Sequence, residues 1–292
     1  MENKQKIGQI ALHIVFLVLT IIYLVPFAMV ISVSFTDETT LIQNGYSLIP
    51  KVFSTAAYDL ALRNPMKMVR AYAVTIFFTV AATALSTVVM ALLAYPISRP
   101  NFLWRKQLNF LVYFTMLFSG GMVPTYVLLT GVLHIDNSIL VYILPGLVNA
   151  YNVMIIRTNY QSIPDELIEA AKIDGAKELF ICFKIVVPLA KPGIASVAFL
   201  FLVTKWNDWM TSMLYIRNPD LYSLQYLLQR LIREADYLKQ ATEMGTYVGE
   251  MVMPTETLRF AMAIIAAGPV LVAFPFFQKY FTKGMTIGGV KG

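Results

Sequence analysis

Two stretches of this 292-residue chain hold side chains that can do chemistry. The first is Lys205-Trp206-Asn207-Asp208-Trp209, set within an otherwise apolar run of about residues 192–216. Ionisable groups inside an apolar span are costly, and they face the protein interior or a water-filled path. Lys205 and Asp208 are three apart, so on a helix they share a face and can neutralise each other. Trp206 and Trp209 present flat rings that can stack on a sugar, while Asn207 and Asp208 can bond its hydroxyls. The same string also suits a structural ion pair with its tryptophans in an interfacial aromatic belt. A helix break at Ser119-Gly120-Gly121 and Pro124 leaves backbone groups and Tyr126 available to line a path, or simply kinks a packed helix.

The second stretch runs from Pro164 to Pro188. Between Arg157 and Lys191 lie five Lys/Arg and five Asp/Glu, so this segment cannot sit in lipid and must face water or a partner. Pro164 suits a first helical turn, and Asp165 and Glu166 sit where the helix dipole favours negative charge. Gly175 is placed to end that helix, and a second short helix then runs to about Val187, stopped by Pro188 and Pro192. The expected shape is two short helices joined by a glycine turn. An ordinary amphipathic hairpin on a membrane surface fits the same residues.

Within that segment Glu169-Ala170-Ala171 is followed after three residues by Gly175, and after nine more by Ile185 and then Pro188. This pattern resembles the EAA loop of ABC importer permeases, with Val187 where the family usually has Leu. The Trp-Asn-Asp-Trp string and the helix break resemble the oligosaccharide subgroup of the carbohydrate-uptake, MalG-like permeases. The ending from Lys283 to Gly292, Lys-Gly-Met-Thr-Ile-Gly-Gly-Val-Lys-Gly, is similar to the tail of that group. The resemblance covers about residues 8–292. It implies a type I ABC importer transmembrane domain that carries an oligosaccharide from a solute-binding protein to the cytoplasm. It also implies a second homologous permease and two cytoplasmic ATP-binding subunits that hold ATP and Mg. Glu169, Ala170, Ala171, Asp174, Gly175, Ile185, Pro188 and Gly288 would couple to those subunits. Tyr126 and Lys205 to Trp209 would line the substrate path, and the loop of about residues 217–254 would reach the solute-binding protein.

No energy source or catalytic cluster is legible in the chain itself. A P-loop needs Gly-Lys-Ser/Thr, and no Gly-Lys pair occurs. His13 and His134 are far apart, and Cys182 is the lone cysteine, so no metal site, disulfide or catalytic pair is indicated. The chain is expected to carry no cofactor of its own and to be no enzyme. A secondary transporter using Lys205 and Asp208 as an ion relay is the competing class, against which the EAA spacing argues.

The elements that position these residues are membrane helices. The composition is 58% hydrophobic and 14% charged, against about 25% charged in soluble domains. Residues 7–36, 71–98, 107–135, 137–156 and 260–278 each lack Asp, Glu, Lys and Arg, and roughly 20 apolar residues suffice to span lipid. With the 192–216 run, the expectation is an all-α polytopic protein of six spans. Residues 1–70 form a first helix and outer loop, 71–282 the transmembrane domain, and 283–292 a cytoplasmic tail. The first run is too long for a signal-peptide core and is read as a retained helix. With the amino terminus inside, thirteen Lys/Arg fall in inner segments and eight in outer ones, which favours both termini in the cytoplasm of a bacterial plasma membrane. The net charge of +6 therefore reflects orientation in a lipid membrane, not nucleic-acid binding.

Overall fold

The computed structural model describes residues 2–244 and 253–288, and the described elements are helical apart from one isolated bridge between Thr36 and Phe53. In chain order they are α1 (Glu2–Ser34), α2 (Glu38–Asn44), α3 (Ala56–Ala61), α4 (Pro65–Ser98) and α5 (Arg105–Leu117). Next come α6 (Met122–Val127) with a π turn at Leu128–Val132, α7 (Leu140–Ile143), α8 (Ala150–Gln161) and α9 (Asp165–Ile173). Then follow α10 (Glu178–Ile181), a π turn at Cys182–Val186, α11 (Val187–Leu189), α12 (Lys191–Trp206) and α13 (Met210–Tyr215). A 3₁₀ turn at Pro219–Leu221, α14 (Leu224–Glu243) and α15 (Thr255–Gly288) complete the order.

Among the described residues, three helices are long and apolar enough to cross a membrane: Gly8–Ser34, Pro65–Ser98 and Thr255–Gln278. Two bent pairs raise the count to five, Arg105–Leu117 with Met122–Val132 at 109° and Glu178–Leu189 with Lys191–Trp206 at 78°. The sequence led to an expectation of six. The remaining stretch, about 138–159, is divided where Pro145 removes a donor and Gly146 adopts φ 80°, so α7 and α8 are each too short to span alone.

The chain forms two compact units, Met1–Met68 with Leu227–Gly268 and Val69–Tyr226 with Pro269–Gly292. In the first, α1 is exposed from Gly8 to Ala28, as its charge-free sequence permits only where its neighbour is lipid or another chain. Glu38, at the start of α2, is only 5% exposed, yet its carboxylate has five donors. The backbone amides of Thr255, Glu256 and Thr257 lie 3.1, 2.9 and 2.9 Å away, with the hydroxyls of Thr255 and Thr257 at 3.3 and 2.7 Å. A carboxylate from one segment thus caps the free amides that begin α15.

In the second unit α4, about 50 Å long at 1.5 Å per residue, carries two apolar clusters. One gathers Met90, Ala94, Ile97, Val153, Ile156, Tyr160, Ile181 and Val186. The other gathers Phe78, Ala82, Val141, Tyr142, Phe201 and Tyr215, with Phe78 and Tyr142 stacked 4.3 Å apart. The first cluster seats the charged hairpin and the second seats the broken helices.

Candidate functional site

The charged hairpin ends its first helix as the sequence indicates. Gly175 has φ 79°, and its amide bonds to Lys172 O at 3.0 Å, while Ala176 N bonds to Ala171 O at 2.9 Å. These are the paired bonds of a Schellman turn, which a residue without Cβ closes at least cost. The signature residues then divide by face. Glu169, Ala170, Asp174 and Gly175 are exposed, whereas Ala171 and Ile185 pack on the cluster that contains Ile168, Ile181 and Val186.

Pro188 does not stop the second helix. The segment from Glu178 continues through the π turn, where Val187 N bonds to Cys182 O, and reaches Leu189. The wider turn accommodates Pro188, which has no amide of its own and would crowd the carbonyl four residues back in a regular helix. The chain bends at Ala190 instead. At the start of α12, Gly193 meets the Asn159 side-chain amide so closely that any Cβ would overlap it.

Four residues that the sequence did not mark, Tyr95, Arg99, Lys172 and Glu178, hold this hairpin in place. Tyr95 Oη donates to Glu178 Oε2 at 2.6 Å, and Lys172 Nζ lies 2.6 Å from Glu178 Oε1. The Lys172 contact, then the Tyr95 hydroxyl, hold the Glu178 carboxyl below its ordinary value. Arg99 is 9% exposed; it donates to Tyr160 O and Ser98 Oγ at 3.1 Å each, and its Nη1 lies 3.5 Å from Asp165. Its guanidinium also sits 5.4 Å from the Tyr95 ring centre.

The second site forms where helices are interrupted. α12 ends at Trp206, and α13 starts at Met210, so the Trp-Asn-Asp-Trp string is a break rather than a continuous span. Lys205 therefore does not pair directly with Asp208. Its ammonium donates to Tyr142 O at 2.8 Å and Pro145 O at 3.4 Å. Asp208 instead accepts from Thr211 N at 3.0 Å and Thr211 Oγ1 at 2.7 Å, opening α13. The i, i+3 relation fails because Asp208 lies beyond the end of the helix on which Lys205 sits.

Of the two tryptophans, Trp206 is 4% exposed and Trp209 half-buried, so the Trp206 ring is enclosed by protein in this conformation. Asn207 is exposed and accepts from Gln225 Nε2 at 3.3 Å. Tyr126 is partly exposed and stacks on Tyr215 at 5.6 Å. Its helix follows the break at Phe118–Gly121, where Gly121 has φ 87°. The Tyr142 hydroxyl joins Ser212, and Ser212, Ser223 and the Asp208 carbonyl continue that chain of bonds. Tyr142, Ser212 and Ser223 are buried, so the Tyr126 ring and Asn207 are the exposed groups at this break. Gly288 is the last residue of α15, and Gly289–Gly292 lie outside the described residues.

Residues 87–287 match the family described as binding-protein-dependent transport system inner membrane component. The polygalacturonan/rhamnogalacturonan transport system permease protein YtcP of Bacillus subtilis is 37% identical over 99% of this chain and 100% of its own length. Protein LplC of the same organism is 38% identical over 93% of this chain and 90% of its own. Among solved structures, a bacterial ABC transporter involved in the import of the acidic polysaccharide alginate aligns with TM-score 0.75 at 26% identity. That alignment covers 94% of this chain and 97% of the other.

Proposed function

We propose a specific working arrangement for this chain, which belongs to the binding-protein-dependent transport inner-membrane family. It is a permease of an ABC importer for oligosaccharides or polysaccharides, a multi-pass inner-membrane transport component and not a catalyst. In the arrangement we infer, the Pro164–Pro188 hairpin is the surface that meets a cytoplasmic ATPase subunit. One observation carries this reading: the hairpin is seated by its apolar face, while Glu169, Ala170, Asp174 and Gly175 are left on its exposed side.

Six spans with both termini in the cytoplasm place that face on the ATPase side. α7 and α8 together supply the divided fourth span. A second homologous permease completes the pore, two ATP-binding subunits hold ATP and Mg, and a solute-binding protein delivers substrate at the outer face. Tyr126, Asn207 and Trp209 line the path, with Asp208 and the enclosed Lys205 and Trp206 shaping it. Gly288 and the residues after it meet the ATPase pair. The similarity to the polygalacturonan/rhamnogalacturonan permease and to the alginate importer supports a uronate-containing oligosaccharide as substrate.

Site-directed cross-linking from Asp174→Cys in cells tests the central point. The expected product is an adduct with the ATPase subunit; its absence, with the chain correctly inserted, overturns the assignment. Calorimetry of the cognate solute-binding protein with oligogalacturonates tests the substrate. Preference for neutral oligosaccharides would overturn that part alone.

A further inference from the structure

The hairpin is held to α4 by two kinds of contact with different mechanical consequences. Apolar packing of Ile168, Ile181 and Val186 is non-directional, and it permits sliding with little change in buried area. Hydrogen bonds and ion pairs fix one register, because they weaken steeply with distance and angle. Two directional contacts reach the hairpin from the carboxyl-terminal end of α4, one from Tyr95 and one from Arg99, the residue that follows its last residue, Ser98. Each meets the beginning of a different hairpin helix: Tyr95 bonds Glu178, the first residue of α10, and Arg99 pairs with Asp165, the first residue of α9. Arg99 is itself fixed by the Tyr160 carbonyl at the end of α8.

We propose that Tyr95 and Arg99 are positioning residues for transport: they form a two-point clasp through which hairpin displacement is delivered to α4. This rests on the coupling role given to the hairpin above. With both points engaged, α9 and α10 cannot slide or rotate independently against α4, so a push on their exposed turn moves the long helix. With the points open, the apolar seat remains, and the hairpin slips while α4 stays behind. The Tyr95→Phe change removes only one hydroxyl, and Asp165→Asn removes only one exposed charge, so neither disturbs the core that seats the hairpin.

The test is hydrogen–deuterium exchange of the assembled importer in nanodiscs, comparing ADP with ATP plus vanadate. In the unsubstituted complex, peptides from both the hairpin and α4 should change their exchange on trapping. In the Tyr95→Phe/Asp165→Asn double variant the hairpin response should persist, while the α4 response falls by about tenfold, the bias expected from losing a charged hydrogen bond. Glu178→Ala, at an exposed position, opens the Tyr95 point alone and should lower the α4 response part of the way, should the double variant fail to assemble. An α4 response that stays intact in these variants overturns the clasp and makes the contacts merely structural. A hairpin that fails to respond in the unsubstituted complex overturns the coupling role first, and the clasp falls with it.

Discussion

The Lys205 ammonium lies 2.8 Å from the Tyr142 carbonyl oxygen, although 63 residues separate them. Tyr142 lies in the last turn of α7 and Pro145 just past its end, where carbonyls lack amide partners from their own helix. A cation at the end of a helix also complements its dipole. Lys205 from one broken helix thus closes the break in another, and its charge is used inside the protein.

Replacing Lys205 with Met should therefore destabilise the purified protein by about 1–3 kcal/mol, the range for buried acceptors left without a donor. Thermal unfolding in detergent reads this directly. Equal stability of the Met variant would show that water replaces the ammonium at these two carbonyls.

Glu38 carries a comparable load at the start of α15. The Glu38→Ala change removes an acceptor shared by three amides and two hydroxyls and should cost about 2–3 kcal/mol. Glu38→Gln keeps the shape and should recover part of that loss. Similar unfolding midpoints for Ala and wild type would mean that water replaces the carboxylate.

At Gly175, φ 79° makes a β-branched side chain strained by roughly 1–2 kcal/mol. Gly175→Val should insert normally but weaken co-purification of the ATPase subunit. Undiminished co-purification would count against the turn's role in docking.

Asn137 combines a left-handed backbone, φ 52°, with a side-chain oxygen that accepts from Arg217 N and Asn218 N at 3.0 and 2.8 Å. Asn137→Ala should cost about 2 kcal/mol, and Asn137→Gly somewhat less, because glycine restores the backbone freedom but not the bonds. An alanine variant as stable as the glycine variant would show that the backbone angle is relaxed at little cost.

The Glu178 contacts give the hairpin a defined pH response. Its folded carboxyl titrates below the ordinary value, so its stabilising effect is complete above about pH 4.5 and is lost as pH falls through the lowered value. Exchange protection of the hairpin should hold from neutral pH to about 4.5 and decline below it. Glu178→Gln should flatten this profile, and an unchanged acid limb would assign the titration to another group.

Local features were legible in the sequence because they depend on residues close together. Gly175 announces a helix end since few other residues tolerate its backbone angle, and Ser119-Gly120-Gly121 announces a break for a related reason. The pairing of Lys205 with Asp208 was misread because the spacing rule presumes a continuous helix, and α12 stops between them. Tyr142 as the partner of Lys205, Thr257 of Glu38 and Tyr160 of Arg99 each lie 60 or more residues away, and no periodicity encodes such distances. Pro188 misled for a subtler reason: a π turn absorbs a proline that a regular helix would reject.

Among the described residues, α1 is exposed along its whole face from Gly8 to Ala28. Its residues there are selected by their surroundings alone, so greasiness and length are the only demands that oil makes of them. Any finer preference among Leu, Phe and Tyr along that rod is information addressed to a neighbour. Shuffling those letters while keeping their inventory would leave insertion intact and reveal who, in the assembled machine, was reading the message.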